Sequence, residues 1–255
     1  MDGLREFRKL EWDQAKRPDH LYAVLYTGSL AILTALALPH MPNVIPRFFQ
    51  RALQVGTWAD IALLNLYAAA YVIALLVGSI DLLRVWVLPK EEGYLSLFLS
   101  KPITPVAYLR ARFLPILVNS AFVAAASLAI VGLSVWHIIG PFDRSQFLWS
   151  CAIIIGLVLF LVCLLNYLFL YVRESYYGLV IAIVAWTLTL VPGSLYVYRP
   201  DLFSLTMRDF VFPANLLWYG NPIVSNAPGV LALLGVGCVG LYGLAVMRIR
   251  RAALD

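Results

Sequence analysis

Long apolar stretches that contain no charged residue alternate with short polar segments along this chain. Six stretches can be read directly, at residues 21–39, 61–80, 113–136, 145–172, 175–198 and 210–247. Each approaches or exceeds the roughly 20 residues with which a helix crosses the hydrocarbon core of a bilayer. The pattern therefore predicts six membrane-spanning helices, the last of which has a break at Pro228-Gly229 before its apolar core.

Two other interpretations of these stretches are weaker. Strands of a membrane β-barrel alternate polar and apolar residues over about ten positions, and these stretches do not. Ala35-Leu36-Ala37 resembles the small-residue site at which a signal peptide is cleaved. However, residues 1–20 carry charges of both signs and are long for the charged region of a signal peptide. We expect residues 1–20 to be a cytoplasmic segment, either an interfacial helix or a solvated basic tail.

The composition agrees with a membrane protein. Of the 255 residues, 62% are hydrophobic and 13% are charged, whereas soluble domains carry about 25% charged residues. A chain of this composition cannot cover itself with polar groups in water. The sequence thus predicts an all-α, polytopic membrane protein that forms one transmembrane domain over residues 1–255.

Lysine and arginine resist translocation, so they indicate which segments stay in the cytoplasm. With the N-terminus in the cytoplasm, only five of the 19 basic residues lie outside: Arg47, Arg51, Arg144, Arg199 and Arg208. We expect a multi-pass protein of the cell membrane with both termini in the cytoplasm. Topology and contacts with membrane lipid explain the net charge of +5, so nucleic acid is not an expected partner.

Several kinds of chemistry lack their usual residues here. No lysine follows the glycine of a phosphate-binding loop, so ATP chemistry would belong to another chain. The three histidines stand apart near span ends, and the three cysteines lie inside apolar stretches, so neither set indicates a metal site. An ion-coupled carrier usually has carboxylates inside its spans, and these stretches contain none. Asp60 and Asp81 only flank the second stretch. We expect no bound metal or cofactor and an external source of energy.

Polar side chains within the stretches are candidates for a transport pathway. The candidates are Asn65, Tyr67, Tyr71, Thr187 and Thr189. The alternative is that these groups only hydrogen-bond to a neighbouring helix, which in a membrane contributes about 1 kcal/mol or less. The sequence leaves both interpretations open.

The segment 81–112 is the longest predicted cytoplasmic segment and the most informative part of the chain. Glu91 and Glu92 stand where negative charge favours a helix start. The residues that follow at i, i+3, i+4 and i+7 are Leu95, Phe98, Leu99 and Pro102, and the proline ends the pattern. We predict a short amphipathic helix held between the second and third spans.

This segment resembles a motif of ABC-2-type ABC transporter permeases. That motif has two acidic residues, one variable residue, Gly-Thr-Leu, further leucines, a Pro-(Ile/Val)-Ser/Thr turn and a basic residue that opens the third span. The matching residues run from Glu91-Glu92-Gly93 through Pro102-Ile103-Thr104 to Arg110 and Arg112. Tyr94 replaces the usual threonine, and Arg112 stands where Gly-Lys is common. Asn221-Pro222 and an elaborate outer segment at 192–227 also fit the family layout.

The resemblance implies a type V exporter-like permease architecture with separate subunits for energy and passage. Two permease subunits, identical or homologous, would form the translocation pathway as a dimer, and separate ATPase subunits would bind ATP and Mg²⁺. A coupling helix over 91–102 would contact the ATPase through Glu91, Glu92, Gly93, Leu95, Phe98, Leu99 and Pro102. Family tendency favours export. A polytopic membrane enzyme or a non-transporting membrane scaffold is the alternative.

Overall fold

The computed structural model describes residues 9, 11, 12, 17–42, 44, 47, 57–93, 104–198 and 227–252, without the side chains of 189–198 and 252. Six long helices make up most of the described chain. They are α1 (Pro18–Ala37), α2 (Trp58–Glu91), α3 (Pro105–Ile138), α4 (Arg144–Phe169), α5 (Ser175–Tyr198) and α6 (Ala227–Ala252). A 3₁₀ turn, Leu38–His40, extends α1, and these ranges contain no β-strand.

Five of these helices, α1, α2, α3, α4 and α6, are long and apolar enough to cross a membrane. Helix α5 has 24 residues, and its apolar part with described side chains is Ser175–Leu188. The described chain is therefore all-helical with five candidate spans, as expected for a polytopic helical membrane protein. The sixth span stays a prediction.

The helices begin and end at residues that suit these positions. The hydroxyl oxygens of Thr57 and Thr104 accept the backbone N–H groups of Asp60 (3.1 Å) and Ala107 (3.3 Å), which caps α2 and α3. Gly93 follows the last turn of α2 with a φ of 76°, a left-handed conformation that glycine adopts readily.

Helices α2 and α3 take up most of the segment that the sequence assigned to a long loop. Residues 81–91 continue α2, and residues 105–112 already belong to α3. Glu91 is the last helical residue of α2 and does not open a new helix, so a coupling helix would begin beyond Gly93. Its expected contact residues Leu95, Phe98, Leu99 and Pro102 lie outside the described residues.

The predicted outer segment 192–227 also begins inside a helix. Residues 192–198 continue α5, and α6 begins at Ala227. The remainder, 199–226, lies outside the described residues. The break at Pro228-Gly229 falls in the first turn of α6, where proline is tolerated because the first N–H groups of a helix have no intrahelical partner.

Helix α3 is the centre of the bundle, where it packs against α1, α2, α4 and α6. Helix α4 also packs against α2 and α6, and α5 packs against α2 and α4. A Cβ atom at Gly78 of α2 would lie 2.8 Å from Ser120 Oγ of α3 and 2.9 Å from Val162 Cγ2 of α4. Glycine thus allows three helices to approach closely, which matters in lipid because packing drives helix association there.

Candidate functional site at the charged end of the bundle

One end of the bundle carries a connected set of polar and charged side chains, which we call the charged end. It combines the N-terminal ends of α1, α3 and α5 with the C-terminal ends of α2, α4 and α6. Its residues are Glu11, Asp19, His20, Asp81, Arg84, Lys90, Glu91, Arg112, Asn166, Ser175 and Arg248. The helices alternate in direction, which brings these distant parts of the sequence together.

Two pairs of side chains join α1 to α2 at this end. His20 Nε2 lies 2.8 Å from Asp81 Oδ2, and the two side chains are only 8% and 12% exposed. Nearby, Arg84 Nη1 donates to Asp19 Oδ2 at 3.1 Å on the exposed surface. The buried pair is the stronger constraint, because a buried carboxylate without a partner is destabilising and exposed ion pairs contribute little.

A π-helical segment, Leu83–Val87, interrupts α2 at the charged end. The carbonyl oxygen of Val85 accepts a hydrogen bond from Arg112 Nη1 of α3 at 2.9 Å. The indole N–H of Trp86 donates to Asn166 Oδ1 of α4 at 2.8 Å, and both side chains are buried. Single π turns are uncommon and often occur at functional sites. This segment therefore connects α2 to both of its central neighbours.

A buried ion pair connects Glu11, which precedes α1 in the chain, to α3. Arg112 Nε donates to Glu11 Oε1 at 3.2 Å, and the two side chains are 7% and 8% exposed. The guanidinium also lies over the ring of Tyr108, with Cζ 4.9 Å from the ring centroid. Burial raises the pKa of Glu11, and the positive charge of Arg112 opposes that rise. Arg112 therefore links Glu11 to the π-helical segment.

Lys90 and Glu91 cap the facing ends of two different helices. Lys90 Nζ donates to the carbonyl oxygens of Phe169 (2.8 Å), Leu170 (2.9 Å) and Val172 (3.0 Å), at the C-terminal end of α4. The Glu91 carboxylate accepts from Ser175 N at 3.2 Å and from Ser175 Oγ, at the start of α5. A cation suits the negative end of one helix dipole and an anion the positive end of the next. We call this arrangement the double cap; it attaches the end of α2 to the α4–α5 turn.

The predicted coupling residues that the structure describes lie beside the double cap. Glu91 forms part of it, and Glu92 and Gly93 are exposed at the end of α2. The sequence predicted that Glu91 and Glu92 open a helix over 91–102. In the structure Glu91 is the last helical residue of α2, and its carboxylate caps the start of α5, 84 residues further along the chain.

The predicted pathway residues occupy two environments. Tyr67 and Tyr71 are buried in the helix packing. Asn65 and Thr187 are exposed, and each donates to a carbonyl of its own helix, at Ile61 (2.8 Å) and Ile183 (2.9 Å). The Thr189 side chain lies outside the described part. A pathway-lining role for these residues stays a prediction.

Sequence reasoning missed the bonds between His20 and Asp81 and between Trp86 and Asn166. The partners are 61 and 80 positions apart, so no local pattern relates them. A usable signal was present for the first pair: His20 precedes the first apolar stretch and Asp81 follows the second. In antiparallel neighbours these positions lie at the same membrane depth.

The fold and the charged end define a polytopic helical membrane protein with a polar network at one end. Within the described ranges, no group of three or more His, Cys, Asp or Glu residues is placed to hold a metal ion. No protein-family model matches the chain, and no curated protein matches it.

Proposed function

We propose that this chain is the transmembrane subunit of an ATP-binding cassette transporter, which acts as an exporter and is driven by a separate ATPase subunit. The observation that carries the proposal is the sequence 91–112, which resembles the coupling region of ABC-2-type permeases. Five apolar helices long enough to span a membrane support a place in the bilayer. Two copies, or two homologous chains, would form the pathway.

The double cap supports a mechanical role for the segment between α2 and α3. This segment leaves α2 at Gly93 and enters α3 at Thr104, so its first residue lies two positions after Glu91. In the proposed mechanism, displacement of the segment acts directly on α2 and α3. The double cap carries the same displacement to the ends of α4 and α5.

Arg112 extends this connection to the N-terminal segment. Because its guanidinium binds both the Val85 carbonyl of α2 and the Glu11 carboxylate, movement of α3 would also move these two parts. A partner that moves one short segment would therefore act on several helices at once.

The partner would bind ATP and Mg²⁺, and this chain would supply the surface that receives its motion. The stripe Leu95, Phe98 and Leu99 suits an apolar groove on the ATPase, as in other helix-in-groove contacts. Large aromatic side chains near the centre of an interface contribute most to binding. Phe98 is therefore the expected anchor.

The test is co-purification of the full-length chain from its native membrane, with identification of an ATP-binding subunit of roughly 25–35 kDa, a typical domain size. Phe98→Ala should weaken retention of that subunit by about 30-fold, equal to about 2 kcal/mol for a central aromatic residue. Phe122→Ala is the matched control, because the Phe122 side chain is exposed on the outside of α3.

If the Phe98→Ala protein retains both the ATPase subunit and transport-coupled ATP hydrolysis, residues 91–102 are not a coupling helix. Wild-type protein that purifies from its native membrane without any ATP-binding subunit would argue instead for an enzyme or a scaffold.

A further inference from the structure

The ends of α4 and α6 form a basic and aromatic surface that the proposed transport function does not use. The Arg248 guanidinium lies over the ring of Tyr171, with Cζ 4.7 Å from the ring centroid. The hydroxyl of Tyr171 is 3.0 Å from that of Tyr167, one turn earlier. Arg173 follows in the α4–α5 turn, directly after Val172, whose carbonyl oxygen accepts a hydrogen bond from Lys90. We call Tyr167, Tyr171, Arg173 and Arg248 the Tyr–Arg surface.

Neither arginine of this surface forms an ion pair within the described part of the chain, although Glu174 follows Arg173 in sequence. The ion pairs found there involve His20, Arg84 and Arg112, and neither Arg173 nor Arg248. Arg248 Nε is buried and has no hydrogen-bond partner among the described residues. The Lys90 ammonium is hydrogen-bonded to three neutral carbonyl oxygens. Its positive charge therefore adds to that of the two arginines. Clustered cations with a buried, unsatisfied donor favour binding of an anion.

Apolar side chains flank Arg248 on α6. Leu244, one turn earlier on the same side of the helix, is 42% exposed, and Met247, on the adjoining face, is 51% exposed. Tyrosines at the ends of membrane helices typically lie at the level of the lipid headgroups. The same surface thus presents guanidinium groups to a headgroup and an apolar helix face to acyl chains.

We propose that the Tyr–Arg surface binds the phosphate group of an anionic phospholipid, whose acyl chains lie along α6. Guanidinium groups bind phosphate oxygens through paired, charge-assisted hydrogen bonds. Basic pockets between membrane helices recognise anionic headgroups in the same way. A zwitterionic lipid carries its own cation, which the arginines repel, so the site selects for net negative charge. This inference does not depend on the proposed ATPase partner.

The test uses the purified full-length chain in detergent, titrated with phosphatidylglycerol or phosphatidylcholine, with bound lipid counted by native mass spectrometry. Phosphatidylglycerol should be retained preferentially, and Arg248→Gln should weaken its binding at least about tenfold, as expected for lost charge-assisted hydrogen bonds. Arg110→Gln is the matched control: it removes the same charge from an exposed position of another helix, α3, at the same end of the bundle. Its effect should stay within the roughly fivefold that general surface attraction contributes.

Equal losses for the two arginine variants would overturn the site in favour of diffuse attraction, and so would equal retention of the two lipids. Inorganic phosphate is a further arm. If phosphate alone raises the unfolding temperature through Arg248 as much as phosphatidylglycerol does, the ligand is free phosphate and the lipid assignment falls. Arg173 lies in an exposed turn, and Arg173→Gln should also weaken phosphatidylglycerol binding. If Arg248→Gln does not fold, Arg173→Gln takes its place in the test, and unchanged binding by that variant overturns the site.

Discussion

The imidazole of His20 lies 2.8 Å from the carboxylate of Asp81, although the two residues are 61 positions apart. The contact joins the first turn of α1 to the part of α2 that precedes its π-helical segment. The exposed pair Asp19–Arg84 connects the same two helices beside it. One interface therefore contains a buried His–Asp pair and an exposed Arg–Asp pair.

A double-mutant cycle on His20→Ala and Asp81→Ala should give a larger coupling energy than a cycle on Asp19→Ala and Arg84→Ala. Removing one partner of a buried pair leaves an unsatisfied group and costs about 1–3 kcal/mol, whereas exposed ion pairs contribute about 0–1 kcal/mol. The measurement is the free energy of unfolding in detergent. Equal coupling energies would show that burial does not distinguish the pairs.

Lys90→Met should destabilise the α4–α5 turn while leaving the span lengths unchanged. The variant removes three hydrogen bonds to the carbonyls at the end of α4, and hydrogen bonds to a charged group contribute about 1.5–3 kcal/mol. Backbone hydrogen exchange over residues 170–174 should become faster. Lys9→Met is the control, since Lys9 is exposed. Unchanged exchange in Lys90→Met would mean that the double cap does not hold this turn.

Gly78→Ala should lower stability because three helices meet at Gly78. The new methyl group would come within 2.8–2.9 Å of Ser120 Oγ and Val162 Cγ2, so at least one of these side chains or a helix must shift. Overpacking of this kind costs about 1–3 kcal/mol. Gly240→Ala on α6 meets no atom within 4 Å and should be neutral or stabilising by up to about 1 kcal/mol. The measurement is the thermal unfolding temperature of both variants. Equal unfolding temperatures would contradict the packing argument.

The charged end should face the cytoplasm. In a cysteine-free background, Glu92→Cys should react with a membrane-impermeant maleimide only after cells are permeabilised. Arg47→Cys, at the opposite end of the fold, should react in intact cells. Both positions are exposed in the structure, so access to solvent does not differ between them. The reverse pattern of labelling would invert the predicted orientation.

The positions of most helices could be predicted closely from the sequence. Residues 145–172 were expected to span, and α4 is Arg144–Phe169; residues 175–198 were expected, and α5 is Ser175–Tyr198. The reason is local: a segment in lipid must satisfy its own backbone and cover itself with apolar side chains, so length and composition suffice. The prediction was less accurate at the charged end, because charged residues at 84–91 and 110–112 continue α2 and α3. Arg84, Lys90, Glu91 and Arg112 each have a partner on another helix, which makes these charges compatible with the ends of the bundle.

The sequence by itself determined that the chain is helical, where most helices lie, and that their ends are charged. Only the tertiary structure decided what those charges do. Lys90 and Glu91 are neighbours in the chain, yet one caps the end of α4 and the other the start of α5. Arg112 is buried because Glu11 and the Val85 carbonyl meet it there. Such pairings depend on which helices pack together and at what depth, and a local pattern of apolar and polar residues carries no information about either.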